Sequence, residues 1–358
     1  MSWENNIRKV VPYVPGEQPR ERNVIKLNTN ENPYPPSNAI KTALAATDIG
    51  SLRLYPDPAA GDLVEAVADV YGLKKSEVFV GVGSDDVLAM LFMTCFHSGK
   101  PILFPDITYS FYDVWADLME IPYEKQPLDE NFCIRAEDYL KPNGGIVFAN
   151  PNAPTGEFLA LSEIEKIVAG NPDSVVICDE AYIDFGGESA LPLIHKYDNL
   201  VIAQTFSKSR SLAGLRIGFA MANEKLIKYL NDVKYSFNSY TMNRTVISIG
   251  AAAVRDTGYF KNCCKRIMET RERAEEEFRN LGFRFRKSSA NFIFVSHPKV
   301  PAEEIFRYLK EHKIYVRWFN KPRISNYLRV TVGTDAEMAN LFACLRTIPG
   351  IAEESGEA

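Results

Sequence analysis

Histidine is scarce and cysteine is unpaired in this chain. It has only four histidines, none in an HExxH-type spacing, and its six cysteines (Cys95, Cys133, Cys178, Cys263, Cys264 and Cys344) form no CxxC pair. The sequence therefore offers no zinc framework and no redox dithiol, and no metal site is expected. Several of the cysteines lie inside apolar runs, as packed, reduced thiols of a cytoplasmic protein do. No apolar run approaches a membrane span, and the opening "MSWENNIRKVVPYVPGE" lacks the apolar core of a signal peptide. An excess of positive charge is missing too. With 41 Lys and Arg against 46 Asp and Glu, a net charge of −5 gives no pull toward nucleic acid or an anionic membrane. No internal repeat or low-complexity tract is present.

What is there is an ordinary globular composition, 46% hydrophobic and 24% charged over 358 residues. That length holds one large domain and a smaller companion. Through the first two thirds, short apolar runs ("EVFVGVG", "PILFP", "GIVFANP", "VVICDEAY", "LVIAQTF", "RIGFAMA") alternate with amphipathic stretches such as "AGDLVEAVADVYG" and "SDDVLAMLFMTCF". This is the βαβ pattern of an α/β fold with a mainly parallel sheet, and its sites lie beyond the carboxyl ends of the strands. After about Tyr240 the texture shifts to long helices. A strand–helix–strand–strand–helix unit follows ("NFIFVSH", "PAEEIFRYLKEH", "IYVRWF", "YLRVTVG", "DAEMANLFACLRTI"), which reads as a small α+β domain. The expected division is an arm over 1–30 joining the small domain, a large domain over 31–245, and the small domain over 246–358. The Pro- and Asn-rich arm, with "NTNENPYPPSN", reads as a tie across the surface.

Five strand ends carry polar residues. "FVGVGSDDV" is a Gly-X-Gly turn into a helix, but Asp86 stands where a dinucleotide fingerprint needs its third glycine. The turn still leaves the amides of Ser84 and Asp85 open to a single phosphate, or it is a plain turn capped by aspartate. "FANPNAPTGE" is a rigid turn that can hold an amide side chain. "VVICDEAYIDF" ends a buried strand in Asp179 and Glu180, carboxylates that need partners or else rise in pKa. "AQTFSKSRSLAGLRIG" sets Lys208 among Ser207, Ser209 and Arg216, which makes it a Schiff-base candidate beside an anion-binding set. "YLRVTVG" places Arg329 on the polar face of a strand, either exposed or as a clamp for an anion. Each is weak alone. Together they fit one ligand, a pyridine with an aldehyde, a phenolic oxygen and a phosphate, which is pyridoxal 5'-phosphate.

On "PYVPGE", "LNTNENPY", "RLYPDP", "VGVGSDD", "PTG", "CDEAYIDF", "SKSRSLAGLRIG" and "LRVTVGT", spread over nearly the whole chain, the sequence resembles the fold-type I pyridoxal-phosphate-dependent aminotransferases. Among them it is most similar to the histidinol-phosphate aminotransferase family. The resemblance implies a large domain built on a mainly parallel seven-stranded sheet. It implies transfer of an amino group between L-histidinol phosphate and 2-oxoglutarate, with glutamate as the other amine, in histidine biosynthesis. Aromatic-amino-acid aminotransferases and phosphothreonine decarboxylases share much of the pattern and stand as alternatives. A non-catalytic regulator of the same fold lacks support, since no helix-turn-helix module or basic region is appended.

By resemblance, Lys208 carries the cofactor and moves the proton. Asp179 keeps the pyridine nitrogen protonated, and Tyr182 donates to the phenolic oxygen. Ser84, Asp85, Ser207 and Arg216 surround the phosphate, Tyr109 stacks on the ring, and Tyr55 reaches the cofactor of a partner subunit in a homodimer. Tyr13, Arg317 and Arg329 match substrate-binding positions. One departure concerns the PTG turn, where the family commonly has Asn directly before Pro and this chain has Ala153. Asn152 is the expected substitute contact to the phenolic oxygen. Where "SKAF" is usual the chain has "SKSR", and the added Arg210 reads as a surface residue without a role.

Overall fold

The computed structural model describes residues 2–351. Its strands are β1 (Ile25–Lys26), β2 (Val78–Gly81), β3 (Ile102–Pro105), β4 (Tyr123–Gln126), β5 (Ile146–Ala149), β6 (Val176–Asp179) and β7 (Leu200–Thr205). They are followed by β8 (Gly218–Ala222), β9 (Arg284–Phe285), β10 (Phe292–Ser296), β11 (Ile314–Tyr315), β12 (Arg317–Trp318) and β13 (Leu328–Thr331). Seven of them make one sheet in the order β2-β8-β7-β6-β5-β3-β4. Only β8 runs against the others, pairing antiparallel with both β7 and β2.

The apolar runs explain the layers. In β5 to β7 every residue is buried, so each strand supplies both faces. Phe148, Cys178 and Ile202 point into one core with Leu63 and Val67 of the helix Gly61–Tyr71 and Ile164 and Ile167 of the helix Leu161–Ala169. Val147, Ile177 and Val201 point into the other, against the helices Gly83–Cys95, Phe111–Leu118 and Glu224–Phe237. Alternation by two thus sorts one run of hydrophobics into two cores.

The second unit has its own core, including Phe278, Phe292, Val295, Leu341 and Phe342, around the four-stranded sheet β12-β13-β10-β9. Its start differs from the expected residue 246. The helix Arg244–Arg255 buries Val246, Ile247, Ala251 and Val254 in the first core of the large sheet, so the junction falls at Asp256, between it and the helix Thr257–Asn280. "IYVRWF" also divides. Its first half, β11, pairs with β1, and its second half, β12, joins β13. β4 escaped the sequence reading because YEKQ is an exposed edge strand with little apolar pattern.

The arm is only partly a surface tie. Residues before 23 are mostly exposed, with Arg8 donating to the Leu118 carbonyl at 2.7 Å. β1 then pairs parallel with β11, and Leu27, Asn28 and Asn30 are among the most buried residues of the chain at 1–2% exposure. "NTNEN" is therefore an interior strand-to-loop segment at the seam of the two units.

Candidate active site

Register brings the strand ends together. Ala149, Asp179 and Ala203 lie side by side, and Thr205, Gly218 and Gly81 do the same. The chain leaving β7 is pinned by Phe206 N–H to the Ile217 carbonyl at 2.9 Å and by Ser207 N–H to Thr205 Oγ1 at 3.1 Å. Lys208 follows, and its Nζ donates to the Thr29 carbonyl at 3.0 Å while lying 5.7 Å from the Tyr182 ring centroid.

Beside it is a cradle for an anion. At Gly83 (φ +83°) a Cβ would stand 2.5 Å from Arg216 Nη2, and at Gly218 one would stand 2.4 Å from the Ser84 amide nitrogen. Only glycine at both places lets the start of the helix Gly83–Cys95 meet β8 and the guanidinium. Arg216 itself sits in the left-handed region (φ +54°), donating to Ser207 Oγ at 3.2 Å and to Asp85 Oδ2 at 3.0 Å. Helix N-terminal amides, a hydroxyl and a guanidinium make a phosphate site. Asp85 divides its parts between side chain and backbone. Its carboxylate is taken by Arg216 and by the Tyr109 hydroxyl at 2.7 Å, so only its backbone N–H suits an anion. Asp86 caps the turn by accepting from Val82 N–H at 2.8 Å, which explains the carboxylate at the would-be third glycine.

Asp179 is 4% exposed and accepts from the Tyr112 hydroxyl at 2.9 Å and from Ala181 N–H at 3.2 Å. Burial raises its carboxyl to about 6, partly offset by the Tyr112 and Ala181 hydrogen bonds. Its surroundings favour a cationic N–H partner. Tyr182 accepts from Asn30 Nδ2 at 2.9 Å, which leaves its own O–H proton to donate.

Asn152 does not take the place expected for it. Both of its amide hydrogens are spent inside the loop, on the Ile107 carbonyl at 2.9 Å and Thr155 Oγ1 at 3.1 Å, and its Oδ1 accepts from Thr108 at 2.8 Å. Ala153 and Pro154, not Asn152, line the cleft. Arg210 is corrected as well. It is 8% exposed, with its guanidinium 4.1 Å from the Phe260 ring centroid.

The cleft is a cavity of about 160 Å³ between the two units. Tyr13, Tyr109, Tyr182, Lys208, Arg317 and Arg329 all line it, and no carboxylate does. Tyr13 stacks on Phe111 with centroids 4.1 Å apart, and burial raises its hydroxyl pKa against the opposing pull of Arg317 and Arg329. Arg329 donates to the Asn28 carbonyl at 3.0 Å and rests on Phe292 and Phe319, while its Nε is buried with no hydrogen-bond partner among the described residues. Arg317 has no hydrogen-bond or ion-pair partner among them either and lies 5.3 Å from the Phe319 ring centroid. A buried N–H without an acceptor costs about 1–3 kcal/mol, so Arg329 Nε is placed to be completed by an anion. Tyr55 lies apart, 79% exposed, its ring 4.7 Å from that of Tyr240 and its carbonyl accepting from Arg244 at 2.9 Å.

Residues 22–345 match the family described as aminotransferase class I and II. The chain belongs to that family. A histidinol-phosphate aminotransferase of Clostridium beijerinckii is 49% identical over 97% of this chain and 97% of its own. In structure, the histidinol-phosphate aminotransferase of Clostridium acetobutylicum superposes with a TM-score of 0.83 at 22% identity, over 90% of this chain and 98% of that one. The Sinorhizobium meliloti histidinol-phosphate aminotransferase, solved in complex with pyridoxal-5'-phosphate, gives 0.81 at 23% identity over 89% of each chain. The site is asymmetric, with Arg216, Ser207 and the helix start at Gly83 at one end, Arg317 and Arg329 at the other, and Lys208 between them. Asn30 lies inside "LNTNENPY" without being marked there as a site residue, and Tyr112 and Phe319 carry no periodic or motif signal in the sequence. Among the described residues no helix is long and apolar enough to cross a membrane.

Proposed function

We propose that the chain is a pyridoxal-phosphate-dependent aminotransferase that moves an amino group between L-histidinol phosphate and 2-oxoglutarate, in the cytoplasm and as a homodimer. The cation-only lining of the cleft, with Arg317 and Arg329 both short of partners, carries the substrate assignment. A phosphate monoester offers three oxygens to two guanidiniums and the Tyr13 hydroxyl, whereas the α-carboxylate of phenylalanine offers only two. The Clostridium beijerinckii relative supports the same substrate.

The cofactor's part is to accept the electrons released at the substrate α-carbon. The chain's residues do the rest. Ser207, Arg216 and the amides at Ser84 and Asp85 hold the phosphate, and Asp179 holds a proton on the ring nitrogen. Tyr182 would donate to the phenolic oxygen without an amide from Asn152, and Tyr109 would pack against the ring. Lys208 would take the proton from the substrate α-carbon and return it. Arg329 binds the substrate anion in both half-reactions, and Tyr13 closes over it.

Single-turnover spectroscopy with each amine tests this. Histidinol phosphate and glutamate should each convert the bound cofactor rapidly. Rapid conversion by phenylalanine with none by histidinol phosphate would transfer the assignment to an aromatic aminotransferase. Arg329→Ala should impair both half-reactions by about 2–5 kcal/mol of transition-state stabilisation, the range for a buried charge pair stripped of one partner. Arg317→Ala should hurt histidinol phosphate more than glutamate, because only phosphate offers a third oxygen.

The homodimer rests on an exposed apolar run, Ile49 (80%), Leu52, Leu54 and Tyr55, that a lone subunit has no reason to expose. If Tyr55 completes the other subunit's phosphate site, mixing Lys208→Ala with Tyr55→Phe chains should give more activity than the sum of the two parents. Such a heterodimer contains one unmutated site. A fully active monomer in sedimentation would remove the idea.

A further inference from the structure

The two guanidiniums of the cleft stand on paired positions, Arg317 in β12 opposite Arg329 in β13. The loop joining these strands, 319–327, reaches across to the large unit. At its tip Arg323 donates through Nη1 to Asp106 Oδ2 at 3.0 Å, and through Nη2 to the carbonyls of Leu128 at 2.9 Å and Asp129 at 2.6 Å. Its neighbour Ile324 is buried in an apolar cluster with Ile107 and Leu128 of the large unit and Phe294 of β10. The acceptors are fixed. Asp106, directly after β3, accepts from Leu128 N–H on Oδ1 at 2.9 Å and donates its own N–H to the Gln126 carbonyl at 2.8 Å. The loop is braced as well, with Trp318 Nε1 donating to the Ser325 carbonyl at 2.7 Å and Lys321 N–H to the Phe319 carbonyl at 2.8 Å. Phe319, at its base, lies against both guanidiniums, 5.3 Å from that of Arg317 and 5.6 Å from that of Arg329.

We propose that Arg323 is a positioning residue that latches this hairpin onto the large unit, setting the reach between the paired guanidiniums and Lys208 so that it suits the shorter amine donor, glutamate. Glutamate bears its α-carboxylate on the amine-bearing carbon itself. In histidinol phosphate the phosphate stands beyond a methylene and an ester oxygen, so the guanidiniums must stand nearer Lys208 for glutamate. The spacing in the structure is short: the adjacent carbonyls of Asn28 and Thr29 accept from Arg329 Nη2 and from Lys208 Nζ, each at 3.0 Å. One exposed ion pair would hold little by itself, but a planar fork shared among a carboxylate and two main-chain carbonyls fixes direction as well as distance. The Arg323 and Asp106 side chains are 37% and 27% exposed, so water can take over these bonds when the longer donor enters. The inference rests on the two amine donors proposed above.

The test follows single turnovers of the full-length, cofactor-loaded protein with each amine donor separately. Arg323→Met keeps length and removes the fork. It should lower the second-order rate constant for glutamate about tenfold and that for histidinol phosphate about twofold or less. Affinity for pyridoxal phosphate should not change, because Arg323 touches none of the residues of the phosphate cradle. In the cofactor-free protein, amide exchange of a peptide spanning 319–327 should rise about tenfold, with a β5 peptide unchanged. Arg323→Lys should recover part of the glutamate rate. Asp106→Asn should lower the glutamate constant on its own and add little to Arg323→Met, as two members of one contact do. Equal losses with the two donors, which general loosening of the fold would give, overturn the proposal. So does a greater loss with histidinol phosphate, or wild-type behaviour of Arg323→Met. If Arg323→Met does not fold, Asp106→Asn reads the same link with the same outcomes. Failure of the underlying reading looks different: the unmutated protein would then leave histidinol phosphate unconverted.

Discussion

Lys208→Ala protein will fold, will take up pyridoxal phosphate, and will turn over no substrate. The fold survives because the side chain makes a single hydrogen bond, to the Thr29 carbonyl, worth about 1 kcal/mol net. Uptake survives because the phosphate cradle of Arg216, Ser207 and the helix start at Gly83 does not include the lysine amine. Catalysis does not survive, because a positioned proton-transfer group contributes up to about 10⁴-fold and no other lysine lines the cleft. Steady-state assays should show kcat reduced by at least that order, and the bound cofactor should keep the spectrum of a free aldehyde. In the wild type, borohydride should fix the cofactor on the peptide carrying Lys208. Label on another lysine would end the assignment.

Asp179→Asn should separate stability from catalysis. In the cofactor-free protein burial lifts the Asp179 carboxyl from 3.8 to about 6. A folded-state pKa above the unfolded one means that the group's stabilising contribution is fully present below about pH 4 and is lost as pH rises through about 6. Above pH 6 the wild type therefore holds an ionised carboxylate in the interior, at a cost on the order of 3 kcal/mol. The asparagine variant should denature at higher urea concentration than the wild type at pH 8, and the difference should vanish near pH 4. With cofactor bound, the same substitution should slow α-proton removal by about 10²–10³, since an amide does not hold the ring nitrogen protonated. Near-normal turnover of the loaded variant would count decisively against the role of Asp179.

The parts of the site visible in the sequence were those tied to strand ends. Lys208, Asp179 and Arg216 stand directly behind or before buried apolar runs, so the βαβ pattern alone puts them at one edge of the sheet. Arg329 was visible as a cation alternating with apolar residues in β13, but the choice between surface and clamp needed the cleft. What stayed hidden depends on contacts distant in the chain. Asn152 has the right chemistry for the phenolic oxygen, and only the fold shows that Ile107 and Thr155 have already taken its amide. Arg210 reads as surface until Phe260, fifty residues later, is seen against it. Tyr112 is one aromatic of several in "TYSFYDVW", and nothing local marks it as the residue that donates to Asp179.

The pairing of β1 with β11 has a consequence for how the enzyme is made. Ile25 lies against Ile314, and Asn30 donates its N–H to Thr331 Oγ1 while its Oδ1 accepts from the same hydroxyl. An early-made segment must therefore wait for one made some 300 residues later. At about 5–20 residues per second, some 300 intervening residues take roughly 15–60 s to synthesise. Through that interval the large sheet can form while Leu27, Asn28 and Asn30 have nothing to pack against. Lys208 meanwhile lacks the Thr29 carbonyl that holds its amine. The nascent chain thus carries a formed phosphate cradle before it has a working lysine, and competence arrives only when these two distant segments meet.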